Sequence, residues 1–317
     1  MRWIDAEAVR DATTPFDALF DWLEAAHRKP PALTRRALIE VEAPDGTANA
    51  FLTLPAWAPG EGLGVKMATV FPQNEKNGAD LPAIQGVYQL FDGSTGAPAA
   101  VIDGTMLTLR KTAADSGLGA RLLAPPEPEV MLMVGAGGLC PPLIEAHRAA
   151  RPSLNRILIW NRTAARAEAR AEALRAAGID ARAVAEIEPA ARDADVISCA
   201  TMATEPLIRG AWLKPGCHLD LVGGYTPAMR EADDDACTRA RLFVDSRPFT
   251  IGHAGDLVQP MAAGAIGEDD VLADLFQLCQ GAHPGRGGDT QAVTLFKNGG
   301  GGHLDLMVAQ FIARAAT

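Results

Sequence analysis

The sequence predicts an α/β protein of two domains, the larger one a doubly wound parallel sheet. Two observations carry this. From Glu129 onward, short apolar strand-like runs alternate with helix-like segments, the pattern of parallel strands joined by crossover helices. Within that region the apolar run 131–134 meets a glycine turn, Gly135-Ala136-Gly137-Gly138, and a second apolar run, 157–160, follows one helix later. Strand, glycine turn, helix and strand in this order are the shape of a dinucleotide-binding βαβ unit.

The preceding residues are organised differently. Segment 5–28 reads as helices, with Phe16, Leu19, Phe20 and Leu23 at helical spacing. Proline-punctuated strand candidates follow at 37–41, 50–54, 63–71, 84–91 and 99–102. Asp92-Gly93 and Thr95-Gly96 mark a hairpin turn between the last two. Segment 105–123, rich in Ala and Leu, reads as one helix, and Pro125-Pro126-Glu127-Pro128 as a linker. The expected division is therefore a first domain 1–124 and a second domain 125–299. In the second, helix 163–177 has Thr163 as its expected N-cap and Gly178 as its stop. Further strands are expected at 181–183, 196–200, 218–222, 242–244 and 293–297. A last helix, 303–315, is expected to pack back on the first domain, so that 300–317 belongs with it.

The glycine turn assigns roles. Gly135 makes the tight turn, and Gly137 lets a pyrophosphate approach the N–H groups that open the next helix, over Gly135, Ala136, Gly137, Gly138 and Leu139. The second strand ends in Asn161-Arg162-Thr163, with Arg166 one turn on. NAD enzymes commonly place a carboxylate there for the ribose 2′-OH. A guanidinium instead pairs with a 2′-phosphate, so NADPH is expected over NADH, with NADH possible. Thr201, Met202 and Val222 close their strands at the carboxyl edge, where nucleotides and substrates lie in such sheets.

Composition sets outer limits. At 317 residues and 48% hydrophobic the chain can build a sizeable core. A net charge of -10 argues against nucleic acid and anionic membranes as main partners. Five scattered cysteines show no metal spacing, so no metal is expected and reduced thiols in the cytoplasm are. The start, MRWIDAEAVR, lacks the pattern of a secretory leader, and no apolar run approaches a membrane span.

Six segments together resemble the ornithine cyclodeaminase/mu-crystallin family: GVKMATVFPQN (64–74), LPAIQGVYQLFDGSTGAPAAVIDGTMLTLRKTAADS (81–116), VGAGGLCPPLIEAH (134–147), LDLVGGYTPAMRE (219–231), AGDLVQP (254–260) and TLFKNGGGG (294–302). The resemblance implies a homodimer. It also implies an N-terminal α/β domain, completed by the C-terminal helix, for substrate binding and dimerisation, and a Rossmann domain for NAD(P), with the substrate between them. The family includes cyclodeaminases, alanine dehydrogenases, cyclic imino acid reductases and a ketimine reductase that also binds thyroid hormone.

Matching residues narrow the choice. Cyclodeaminases carry an aspartate where this chain has Tyr225 and a glutamate where it has Leu52, so the groups expected to hold the second ammonium of ornithine are missing. Lys66 matches the family's substrate lysine. Lys111 stands where an arginine normally holds the substrate carboxylate, with Arg110 beside it as the alternative. Arg36, or Arg35, matches a further carboxylate-binding arginine, and Asn298 a cofactor-contacting serine. The Pro-Leu-Ile run after the glycine turn resembles the imino acid reductase branch. The expected activity is NAD(P)H-dependent reduction of a small anionic cyclic imino acid, Δ1-pyrroline-2-carboxylate or its six-membered homologue. Hydride goes to the imine carbon, and the proton comes from solvent or from Lys66, the expected catalytic residue. The alternatives are alanine dehydrogenase, ornithine cyclodeaminase, and an NADPH-dependent binding protein. His147 is read as a packing or capping residue, while His303 is left open.

Overall fold

The computed structural model describes residues 1–76 and 81–316; Thr317, the end of the expected C-terminal segment, lies outside them. The chain divides into two compact units, Met1–Lys111 with Gly301–Thr317, and Thr112–Gly300. The division falls inside a helix and not at the proline-rich segment 125–128.

Among the described residues, the first unit holds a sheet of seven strands: β1 (Arg2–Ile4), β2 (Leu33–Thr34), β3 (Ala37–Glu42), β4 (Ala48–Ala58), β5 (Gly62–Val70), β6 (Ile84–Phe91) and β7 (Pro98–Asp103). Their order is β1-β7-β6-β5-β4-β2, with β3 also on β4. Only the β1–β7 pair is parallel. Three-residue β1 is too short to show a period in sequence, and it was not expected. The β6–β7 turn forms where expected, and Asp92 Oδ1 accepts from the N–H groups of Ser94 and Thr95. The helices are α1 (Ala6–Ala12), α2 (Asp17–His27), α3 (Gln73–Lys76) and α4 (Gly104–Leu123), together with the C-terminal helix Gly302–Ala315.

The two faces of this sheet differ. Leu54, Lys66, Tyr88 and Ile102 are cross-strand neighbours in one row, and the C-terminal helix packs on β4 and β5. The opposite face carries Trp3, Ile39, Val41, Phe51 and Trp57, all exposed. Strand β3 has no buried residue at all. Apolar, β-branched and aromatic side chains made β3 and β4 recognisable as strands, yet here half of that apolar pattern faces outward.

In the second unit, eight strands run parallel: β8 (Val130–Val134), β9 (Arg156–Trp160), β10 (Asp180–Ala183), β11 (Val196–Cys199), β12 (His218–Leu221), β13 (Arg241–Val244), β14 (Val271–Asp274) and β15 (Thr294–Lys297). Their order is β10-β9-β8-β11-β12-β15-β13-β14, with the direction of winding reversing between β8 and β11. Crossover segments include α5 (Cys140–Ala150), α6 (Ala164–Ala176) and α7 (Ile187–Asp193). The strands read as continuous apolar runs because both faces are covered; β8 is buried at every position. Thr163 does hold the N-cap position of α6, but its side chain makes no capping bond.

The C-terminal half of α4 explains why the division falls early. Arg286 Nε donates to Leu123 O at 2.7 Å, and Arg151 donates to the carbonyls of Arg121 and Ala124 at 2.8 and 3.1 Å. Guanidinium groups thus satisfy the open carbonyls of this helix end from within the second unit. Gly119 lies against the ring of Phe296 on β15.

Candidate active site

The turn after β8 has the form a dinucleotide needs. Gly135 sits at φ +111°, and a Cβ there would stand 2.5 Å from Ala200 O, so only glycine fits. A Cβ on Gly137 would meet nothing within 4 Å, which leaves the backbone open to a ligand. The Gly135 N–H donates to Trp160 O and that of Ala136 to Asn161 Oδ1. Among the described residues no acceptor faces the N–H groups of Gly137, Gly138 or Leu139. Three unpaired donors at the start of an eleven-residue helix suit a pyrophosphate. The structure brings Gly135–Leu139 together as expected but divides their work, since Ala136 is already committed to Asn161.

Asn161, expected near the 2′-phosphate, stands at the end of β9 with both ends of its amide bonded to backbone. Its Oδ1 accepts from Ala136, and its Nδ2 donates to Thr163 O at 3.0 Å, so the side chain braces the turn against the end of β9. Arg162 and Arg166 are exposed, and among the described residues neither has a carboxylate partner. Arg170, one turn beyond Arg166, donates from Nε to Ala136 O at 3.3 Å. Sequence reasoning missed Arg170, although the four-residue spacing of Arg162, Arg166 and Arg170 was there to see.

The carboxyl ends of β11, β12 and β15 meet over a buried charge network. Glu231 Oε1 accepts from the N–H and hydroxyl of Thr201 at 2.7 and 2.8 Å, and Oε2 accepts from the Gly223 N–H at 2.7 Å. Asp256 Oδ1 accepts from the N–H of Glu231, and its Oδ2 lies 3.0 Å from Lys297 Nζ. Lys297 also donates to Gly223 O. Burial pushes the Glu231 carboxyl up to about 7 despite Lys297. Thr201 and Val222 lie at this edge, as expected, while Met202 is 77% exposed. Asn298 is buried; its Nδ2 donates to Thr112 O and Ser116 Oγ, both at 3.0 Å. Ser116 Oγ donates in turn to Asp220 Oδ1 at 2.9 Å. Asp220 Oδ2 accepts from Ser198 at 2.7 Å and from His147 Nε2 at 3.0 Å. His147 is therefore a buried structural partner, in line with the packing role expected for it.

The first unit holds a second cluster. Lys66 Nζ on β5 lies 3.0 Å from Asp305 Oδ2, and Lys111 Nζ on α4 lies 3.1 Å from Asp305 Oδ1. All three are largely or fully buried. Tyr88, beside Lys66 on β6, is buried with its hydroxyl unbonded, and Gly64 makes room for that ring because a Cβ would stand 2.5 Å from the hydroxyl. Burial lowers the Lys66 ammonium from its ordinary value, and Asp305 opposes the shift. Burial would raise Asp305, but Lys111 and Lys66 outweigh it and hold the carboxyl below its usual range. His303, on the same helix, is pushed down to about 3 by burial, then by His27 and Lys111, so it is neutral at pH 7.

Lys66 and Lys111 thus converge, and the alternative Arg110 does not join them. Its guanidinium donates to Thr13 Oγ1 at 2.7 Å and stacks 3.8 Å from the centre of Phe16. Arg36 and Arg35 are exposed, and the Arg35 guanidinium donates to the neighbouring Thr34 carbonyl. Asp305 was not anticipated. The one signal for it was an aspartate on the apolar face of the last helix, in HLDLMVAQF. Tyr225 is 57% exposed and Leu52 is half-buried on β4, so no carboxylate stands at either position. Among the described residues no group of three or more His, Cys, Asp or Glu side chains is arranged to hold a metal ion.

An open glycine turn at the switch point of a parallel sheet defines a Rossmann-type protein, in a chain whose other unit buries two ammonium groups on one carboxylate. The chain belongs to the ornithine cyclodeaminase/mu-crystallin family, whose model matches residues 6–317. It is 43% identical over 292 residues to a Δ1-pyrroline-2-carboxylate reductase of Paracoccus denitrificans, covering 92% of this chain and 90% of that one. It is 32% identical over 319 residues to the ketimine reductase mu-crystallin of Mus musculus, covering 98% and 96%. Among solved structures, the Δ1-pyrroline-2-carboxylate reductase of Thermococcus litoralis, in complex with NADH and L-proline, matches with a TM-score of 0.90 at 27% identity, covering 100% of this chain and 97% of that one.

Proposed function

We propose that this protein is an NAD(P)H-dependent reductase of a cyclic imino acid, converting Δ1-pyrroline-2-carboxylate to L-proline. The observation that carries the reading is the charge count at Lys66, Lys111 and Asp305. Two ammonium groups against one carboxylate leave one positive charge, held in a buried site of an acidic protein. That charge suits a substrate with a single carboxylate. The pyrroline-carboxylate reductase and ketimine reductase names of the relatives above agree with it, and the absence of carboxylates at Tyr225 and Leu52 disfavours a diamino substrate.

The residues divide the work. Gly137, Gly138 and Leu139 hold the pyrophosphate, with Arg162 and Arg166 toward a 2′-phosphate, which makes NADPH the preferred form. When bound, the reduced nicotinamide supplies the hydride. Lys66 and Lys111 orient the substrate carboxylate, and Lys66 holds a proton for the imine nitrogen. The C=N bond becomes CH–NH, its carbon gaining the hydride and its nitrogen the proton. Protonation makes the carbon electrophilic, so an ammonium whose proton is loosened by burial is suited to the role. Arg36 lies apart from this cluster in exposure and is assigned a lesser part.

The test is NADPH oxidation with Δ1-pyrroline-2-carboxylate, beside NADH and beside pyruvate with ammonia. Turnover with the cyclic imine and a preference for NADPH is expected. Arg162→Ala should raise the KM for NADPH roughly tenfold, the loss of about one charge-assisted bond, and leave NADH unaffected. Turnover with pyruvate and ammonia alone would make the protein an alanine dehydrogenase.

A homodimer through the outer face of the first sheet is part of the same proposal. Ile39, Val41, Phe51 and Trp57 lie exposed on one face of the sheet, an apolar surface of the kind that a second copy covers. Ile39→Glu with Val41→Glu should convert the dimer to monomer in sedimentation analysis; a wild-type monomer would sink the idea. No helix among the described residues is long and apolar enough to cross a membrane. The five cysteines, all buried and outside disulfides, support a cytoplasmic placement.

A further inference from the structure

We propose that Asp305 is a positioning residue for imine reduction, fixing the direction of the Lys66 ammonium and keeping that nitrogen charged between turnovers. The inference rests on the reading of Lys66 as proton donor and goes beyond it by naming the group that governs the donor. The geometry is specific. Asp305 lies in the first turn of the C-terminal helix, fully buried; its Oδ1 accepts from Lys66 Nζ at 3.3 Å and lies 3.1 Å from Lys111 Nζ, and its Oδ2 lies 3.0 Å from Lys66 Nζ. Lysine carries a compact charge on a flexible stem, so a buried lysine is aimed only by what it is bonded to. Without Asp305, Lys66 and Lys111 would be two buried like charges on neighbouring elements. One of them would give up its proton to relieve the repulsion.

Among the described residues, these titratable groups surround Asp305. Lys66 comes from β5, Lys111 from α4 and Tyr88 from β6, with His303 on its own helix and His27 edge-on to His303 with ring centres 6.3 Å apart. Tyr88 is raised well above its ordinary value by burial and then by Asp305, and His303 is neutral, so neither changes charge near pH 7. The lysines are therefore the cations that balance Asp305, and Lys66, whose proton burial loosens, is the one that responds to its loss.

The experiment compares pH profiles of kcat/KM for wild type, Asp305→Asn and Asp305→Glu with Δ1-pyrroline-2-carboxylate. L-proline binding by calorimetry and thermal unfolding are measured on the same samples. Asp305→Asn should lower kcat by about 10–100-fold, the scale of a misplaced catalytic group. It should also move the basic limb of the profile to lower pH by about one unit, because the ammonium form loses its counter-charge. The substrate's own titration is common to every variant, so a shift between them belongs to the enzyme. Asp305→Glu keeps the charge but displaces it, and should lose rate with the limb in place. An unmoved limb in a folded Asp305→Asn protein would overturn the proposal. If that variant does not fold, wild-type kcat in Asp305→Glu would overturn it. Full activity in Lys66→Met would instead overturn the parent reading, whatever the Asp305 variants do.

Discussion

Lys66→Met is expected to lower kcat/KM for Δ1-pyrroline-2-carboxylate by about 10²–10⁴-fold, the range that positioned proton transfer supplies. Dinucleotide binding should stay as in the parent. Methionine matches the stem of lysine in length and removes only the ammonium. Asp305 then keeps Lys111 as its partner at 3.1 Å, so the buried carboxylate is still neutralised and the fold survives. What is lost is the net positive charge of the cluster and the proton aimed from β5. Steady-state kinetics beside a fluorescence titration of NADPH separates the two halves of the expectation. If the substrate's own proton suffices, KM would rise with kcat retained, and Lys66 would be a carboxylate anchor alone.

Lys297→Met should have the largest effect on stability, about 3–5 kcal/mol, the scale for removing one partner of a buried ion pair. Lys297 is the cation at Asp256 and the opposing influence on Glu231, and all three side chains are fully buried. Without it, two carboxylates face each other in the interior. Urea unfolding at pH 7 would measure the loss, and a cost below about 1 kcal/mol, as for an exposed pair, would refute the account. The pH dependence has a definite sign. Glu231 is raised to about 7 in the folded protein against 4.5 ordinarily. Between these values the folded state binds more protons than the unfolded one, so this group's contribution falls as pH rises through the window. Removing Lys297 leaves the Glu231 carboxyl still harder to ionise, so the variant's deficit should shrink as pH is lowered toward 5.

Much of the scaffold was legible because its signals are local. The β8–α5 turn was readable from four residues, since Gly135 at φ +111° against Ala200 O is a constraint that only glycine meets. Strands β5 to β9 were readable from apolar runs and turn residues. Strand β1 and the four-residue helix α3 were not, being too short to show a period, and β14 was not although strands of the same length were. Thr163 was readable as an N-cap position but not as one whose hydroxyl makes no cap.

The sequence by itself determined the α/β class, the order of elements, the glycine turn and the family, because chain-local sterics and hydrophobic period are written in consecutive residues. It also singled out Arg36, Lys66 and Lys111 as the basic residues of interest. Only the tertiary structure decided what those residues do. Lys66 finds Asp305 239 residues away, Arg110 is drawn off to Thr13 and Phe16, Asn161 bonds the backbone of the glycine turn, and Asn298 is buried against α4. The reason is physical: a charge's role follows from its distance to other charges and from its burial, and long-range packing sets both.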